Sequence, residues 1–289
     1  MKRDAASSRA AGDDDGRGKR LRAGTPVMIG AASDPGKKHV HEDRYVVDDG
    51  GDVVGVFDGH AGAWVADYLR EHAAPCIREQ VARQEEPKPA LQSAFQQLDD
   101  QILKQCPDES GACAVVSLIA GNVVWSANVG DCRAVLARRA SPDAPSYRAV
   151  PLTKDHAPIY AAEATRIRAA GGFVEDGRVN GRLEVSRSFG DRAFKRVGVI
   201  SAPYVSHFQV RPTDGFLVQA CDGLWKVMDA QAVVDFIAAR LDDPDLDGHH
   251  DNDDNGNVAR VIARLLLTHC VVDLHAKDNV TIVIVLLNR

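Results

Sequence analysis

No Cys-x-x-Cys pair occurs in this sequence, no apolar run approaches the roughly 20 residues of a membrane-spanning helix, and basic residues do not outnumber acidic ones. Each absence excludes a class of protein. Without such a run, no membrane role is expected. The six cysteines (Cys76, Cys106, Cys113, Cys132, Cys221 and Cys270) sit mostly inside apolar stretches, where free cysteine behaves as a small hydrophobe. Neither a zinc site nor a disulfide framework is therefore expected, and a reducing compartment is. The formal net charge of −6 leaves no electrostatic footprint for nucleic acid. Charged residues near the N-terminus have no apolar core behind them, so they do not read as a secretory signal. The expected location is cytoplasmic. A basic run, Lys19-Arg20-Leu21-Arg22, keeps two readings open: a weak nuclear-import element or solvated tail.

What is present is an ordinary globular composition, 45% hydrophobic and 26% charged over 289 residues. Residues 1–24 lack apolar periodicity and are expected to be a disordered tail. One ordered domain is expected over 25–289. Strand-like runs fall at 27–31, 44–47 and 53–57, followed by helical segments at 63–83 and 90–106, with Pro87 and Pro89 as punctuation between them. Leu91, Phe95, Leu98 and Ile102 recur at spacings of three and four and make one apolar face. Gly121-Asn122 separates two apolar runs and predicts a tight hairpin between 114–120 and 123–129. Further strands are expected at 133–138, 147–152, 204–210, 216–220 and 280–287, with helices at 161–170, 229–241 and 258–268. The polar stretch 153–198 has little apolar periodicity and reads as a functional loop region. The acidic insertion 242–257 contains Asp251-x-Asp253-x-Asn255-Gly256, which imitates a calcium loop. The position that needs a bidentate glutamate is Ile262, so calcium is not expected. Antiparallel strands with paired helices imply an α+β layered domain.

Acids recur where apolar strands end. Asp58 follows the run 53–57, Asp222 follows 216–221, Asp278 precedes 280–287, and Glu42-Asp43 leads into 44–47. Each acid alone could cap a turn, and Asp58-Gly59 could itself be one. Brought together, they would repel and push protons onto one another unless cations intervened. Hard divalent ions such as Mg²⁺ and Mn²⁺ prefer such oxygen ligands. His60, two residues from Asp58, can hold or deliver a proton near neutrality.

These stretches, with several others in the same order, carry a resemblance. Glu42-Asp43, Val56-Phe57-Asp58-Gly59-His60, Gly111-Ala112-Cys113-Ala114, Asn128-Val129-Gly130-Asp131-Cys132-Arg133, Thr153-Lys154-Asp155-His156, Ser186-Arg187-Ser188-Phe189-Gly190-Asp191, Cys221-Asp222-Gly223-Leu224-Trp225 and Asp278-Asn279-Val280-Thr281 resemble the PP2C-type metal-dependent protein serine/threonine phosphatases. Lys226 and the stretch 153–200 resemble the integrin-linked-kinase-associated phosphatase subgroup. The resemblance implies a four-layer αββα sandwich of two antiparallel sheets flanked by helices. It implies two Mn²⁺ or Mg²⁺ ions bridged by Asp58, with the Gly59 carbonyl on one and Asp222 and Asp278 on the other. Glu42 and Asp43 would act through water. A hydroxide bridging the two metals would attack phosphorus in line, with no phospho-enzyme. His60 would protonate the leaving oxygen, or else orient a water. Phosphorylated proteins are the implied substrates, and a monomer is expected.

The sequence departs from this pattern at two positions. Lys38 stands where the family has a phosphate-binding arginine, and lysine lacks the planar two-pronged grip; Lys37 is an alternative. The resemblance implies a third ion between Asp155, Asp222 and an acid four residues on. That last position is Lys226, which would repel a cation, so a third ion is expected to bind weakly or not at all. Residues 157–198 would form a flap beside the site. Two functions of different class follow: an active phosphatase, or a catalytically quiet binder of phosphoproteins with Lys38 and Lys226 as its symptoms. Asp58, Asp222 and Asp278 favour the first, because a binding module has no need of a complete metal cage.

Overall fold

The computed structural model describes residues 27–84, 86–243 and 257–287. The tail expected over 1–24 and most of the acidic insertion, including the calcium-like stretch 251–256, lie outside the described residues. In chain order the first half forms β1 (Met28–Asp34), β2 (Arg44–Val47), β3 (Val53–His60), α1 (Trp64–Arg83), α2 (Pro87–Gln105), β4 (Gly111–Ala120), β5 (Val123–Val129), β6 (Arg133–Arg139) and β7 (Tyr147–Pro151). The flap region holds α3 (Ala161–Ala169), β8 (Val174–Glu175), β9 (Arg178–Val179), β10 (Phe189–Gly190) and α4 (Arg192–Lys195). The chain continues through β11 (Tyr204–Gln209), β12 (Asp214–Ala220), α5 (Asp222–Trp225), α6 (Ala230–Leu241), α7 (Val258–Thr268), a π-helical turn (His269–Asp273) and β13 (Val280–Leu286).

Two sheets form the centre. One runs β1-β13-β12-β6-β7 and the other β11-β5-β4-β3-β2, with β10 added to the end of β4. Pairing between the named strands is antiparallel. Alternation along the strands makes the layers, because successive side chains point to opposite faces. In β3, Val54 and Val56 join Val115, Leu136, Leu217, Val283 and Val285 between the sheets. Val53 and Phe57 point the other way, onto Leu69, Ile77, Leu91 and Phe95 of α1 and α2. In the second sheet Phe216, Val218, Ile282 and Ile284 face Val233, Ile237, Ile262 and Leu266 of α6 and α7. The inner strands are thus mainly apolar on both faces, and the expected αββα sandwich is observed.

Two expectations are corrected. The strand expected to stop at Phe57 continues to His60, with Asp58, Gly59 and His60 opposite Cys113, Ala112 and Gly111 of β4. Asp58-Gly59 is therefore not a turn. The second helix starts at Pro87, three residues early, because proline in a first turn forfeits no hydrogen bond.

The β1 strand and α7 approach closely at Gly30. A Cβ there would overlap the backbone of Ala259 and Arg260 in α7. Gly30→Ala should cost about 1–3 kcal/mol, the usual penalty of overpacking, read as a lowered urea midpoint with an unchanged slope.

Candidate metal centre

Alternation carries Asp58 onto the same face as Val54 and Val56, at the rim of the layer between the sheets. Asp222 begins α5 directly after β12, and Asp131 follows β5. These three ends meet: Asp58, Asp131 and Asp222 each offer an oxygen within 4.8 Å of the others. Asp58 also belongs to a second such group, with Asp43 and the Cys221 sulfur. Asp43 is buried, and its Oδ2 has no hydrogen-bond partner. An orphaned buried carboxylate oxygen is costly, and a cation or a cation-held water would satisfy it.

The electrostatics follow from this crowding. Burial, then the charges of Asp43, Asp222 and Asp131, push the Asp58 carboxyl well above the usual carboxylate range. Burial raises Asp43 to about 6, against hydrogen bonds from Cys221 and Thr281. Burial and the Asp222 charge raise Asp131 to about 6 as well. Asp222 is raised by burial, opposed by Lys226. Asp278 is the exception: burial works on it too, but Lys38 and Lys226 outweigh that and hold it low. Lys38 Nζ lies 3.0 Å from Asp278, and Lys226 Nζ lies 2.5 Å from Asp222 and 3.4 Å from Asp278.

A cavity of about 570 Å³ opens over the cluster. Lys38, Glu42, Gly59 and His60 line it beside the acids, and Leu183, Val185 and Phe194 of the flap region form an apolar wall. Glu42 accepts a hydrogen bond from the Gly62 amide at 2.6 Å. His60 Nε2 lies 2.8 Å from Asp191 Oδ2, which also accepts from the Ser188 hydroxyl at 2.5 Å. Burial opposes charge on His60, but the hydrogen bond and the charge of Asp191 prevail and raise it. The pair fits because position 111 is glycine; a Cβ there would collide with both side chains.

All of the expected residues except Asp155 converge here. Asp155 is gripped by Arg133 through two hydrogen bonds, at 2.9 and 2.6 Å, and lines a different cavity. Its expected place beside Asp222 is taken by Asp131. Of the flap arginines, Arg178 pairs with Glu184 and Arg187 with Glu163, while Arg182 lines the cavity over the Phe194 ring. Two residues escaped the sequence reading. Asp131 carries the same signal as Asp58 and Asp222, an acid after an apolar strand. For Asp191, 131 residues from His60, nothing local in the sequence reveals the pairing.

The family model described as protein phosphatase 2C matches residues 36–273. The chain is 32% identical over 288 residues to a probable protein phosphatase 2C 67 of Oryza sativa subsp. japonica, covering 90% of this chain and 75% of that one. It is 36% identical over 199 residues to the human integrin-linked kinase-associated serine/threonine phosphatase 2C, covering 65% of this chain and 50% of that protein. The fold matches the crystal structure of a serine-threonine phosphatase 2C from Toxoplasma gondii with a TM-score of 0.73, at 22% identity over 92% of this chain and 96% of that one.

The raised acids have a measurable consequence in chelator. Unfolded carboxylates ionise near pH 4, whereas Asp43 and Asp131 release their protons near pH 6 in the folded chain. The folded state holds more protons between those values, so the cluster's contribution to stability falls as pH rises through that window. Asp131→Asn should therefore gain stability over wild type from pH 4 to 7 in EDTA, and lose that advantage in excess Mn²⁺. Urea denaturation at several pH values checks both.

Proposed function

The chain belongs to the protein phosphatase 2C family, and on that premise we propose metal-dependent hydrolysis of phosphoserine and phosphothreonine in proteins, by in-line attack of water activated between two divalent ions, without a phospho-enzyme intermediate. The observation that carries this reading is the convergence of Asp58, Asp131 and Asp222 within 4.8 Å. Bound there, two Mn²⁺ or Mg²⁺ ions would bring the pKa of a shared water toward neutrality and offset charge on the phosphoryl oxygens.

The donor set fits such ions in kind and in charge. Asp58, which belongs to both ligand groups, is the natural bridge. The Gly59 carbonyl, Asp222 and Asp278 would complete the direct ligands, with Glu42 and Asp43 acting through water. The acids Glu42, Asp43, Asp58, Asp131, Asp222 and Asp278 outnumber the ammonium groups that meet them, Lys38 and Lys226, and divalent ions would offset that negative surplus. Lys226 already supplies a positive charge against Asp222, where a third ion would have to sit.

The remaining steps belong to the protein's own groups. Lys38, half-exposed at the rim, would steer and neutralise the phosphate. His60 would give its proton to the departing serine or threonine oxygen, and Asp191 would hold the imidazole in place and charged. Leu183, Val185 and Phe194, which line the same cavity, would exclude water from one side of the reacting group.

Hydrolysis of an aryl phosphate with and without Mn²⁺ tests the reading. Wild type should show metal-dependent turnover, and Asp58→Asn should lose at least about 10²-fold of it. Equal turnover in the two would leave the quiet-binder reading standing. A second outcome concerns His60. A general acid must be protonated, so the rate declines as pH rises through its pKa. Asp191→Asn removes the partner that raises that pKa and should move the declining limb of kcat down by about 1 pH unit or more, seen in a pH–rate profile.

A further inference from the structure

A second cavity, of about 660 Å³, lies behind the flap wall. The segment 183–187 separates the two: Leu183, Glu184 and Val185 line the first, and Arg187 lines the second. The first turn of α2, the loop 154–156, the start of α3 and residues 203–205 complete its walls.

Its charges are unbalanced. Lys88, Lys154 and Arg187 line it, against Asp155 and Glu163. Both acids are already bound. Arg133 grips Asp155, and Glu163 takes Arg166, Arg187 and the Ser186 hydroxyl. Lys154 Nζ lies 4.7 Å over the Tyr204 ring, and neither Lys154 nor Lys88 has an acidic partner among the described residues. This local cationic surplus stands on a chain whose net charge is −6.

An independent observation comes from His156. It lines the same cavity, is only 5% exposed, and its Nδ1 has no hydrogen-bond partner. Burial, then the Arg187 charge, hold the ring neutral by lowering it to about 4. A neutral imidazole keeps one N–H to donate, and an unpaired buried polar atom is the exception in proteins. Two ammonium groups without an acidic partner and a buried imidazole line one cavity, with Arg187 fixed in its wall by Glu163 and the Ala202 carbonyl, and this chemistry suits the oxygens of an oxyanion.

We propose that this cavity is a second phosphate site, separate from the acid cluster. Resting on the phosphatase reading, the phosphate has two sources: a second phosphoresidue of the substrate, or free inorganic phosphate, the product. In either case the occupant sits directly behind Val185 and Glu184, which line the first cavity.

The test compares full-length wild type with Lys88→Glu/Lys154→Glu. Both lysines are exposed, so the fold should tolerate the change. Inorganic phosphate is titrated calorimetrically in EDTA, which keeps metal out of the acid cluster. The variant should bind at least tenfold more weakly, while Mn²⁺-dependent turnover of an aryl phosphate stays within twofold of wild type. Equal phosphate affinity in the two proteins, or no binding by wild type, overturns the proposal. Because the titration requires no turnover, an inactive wild type would sink the phosphatase reading and leave the second site to be judged by binding alone. Peptides with a second phosphoserine at increasing separations then distinguish the sources. A lower KM than for singly phosphorylated peptide, in wild type only, assigns the site to substrate. Equal KM values, with wild-type turnover alone responding to added phosphate, assign it to product.

Discussion

Carboxylates held against one another at the edge of an apolar layer are the constraint on which this molecule turns. Taken alone, the cluster is unfavourable: burial and mutual repulsion force its members to keep protons that free carboxyls would release. The two sheets make the arrangement possible because their hydrogen-bonded strands, apolar on both faces, do not yield when acids crowd their ends. The energy of folding comes from the layers; the cluster draws on it, and cations would return what it draws.

Around that cluster the protein has sorted its charges by reach. Lys38 and Lys226 come in on flexible stems and meet Asp278 and Asp222 from the solvent side. Asp131 and Asp58 have no lysine partner among the described residues, and Asp43 is the most buried acid of the cluster. His60 has its own carboxylate, Asp191, whose hydrogen bond and charge are the main influences that raise it. A proton donor and a cation site thus share one cavity, the donor governed chiefly by Asp191 and to a lesser degree by Asp131 and Glu42 of the cluster.

Much of this was legible in the sequence because it rests on periodicity. The strands 44–47, 114–120 and 123–129, and the apolar face of Leu91, Phe95, Leu98 and Ile102, are local patterns, and the structure matches them. The early start of α2 was hidden by prolines that serve equally as breakers and as first-turn residues. The pieces β8, β9 and β10 are two residues long, too short to show a period. In the site, Asp58, Asp222 and Asp278 were readable as acids at strand ends, and Asp131 had the same mark but lay in what looked like an ordinary turn. Asp155 was misplaced because the sequence cannot show that Arg133 claims it. Asp191 was beyond reach, since its partnership with His60 is created only when β10 adds to β4.

The continuation of β3 through Asp58, Gly59 and His60 constrains how this site can change over time. Within a paired strand, a residue's face is decided by whether its position is odd or even. Inserting or deleting one residue within 53–57 would turn Asp58 and His60 together toward the helices and bring Phe57 or Gly59 to the rim. The strand can therefore vary its side chains but not its length. The flap stretch 157–198 is under no such parity rule, because its pieces are short and held by side-chain pairs rather than by a long ladder. Lineages carrying this fold should record their divergence as gained and lost residues around the flap, and as substitutions alone along β3.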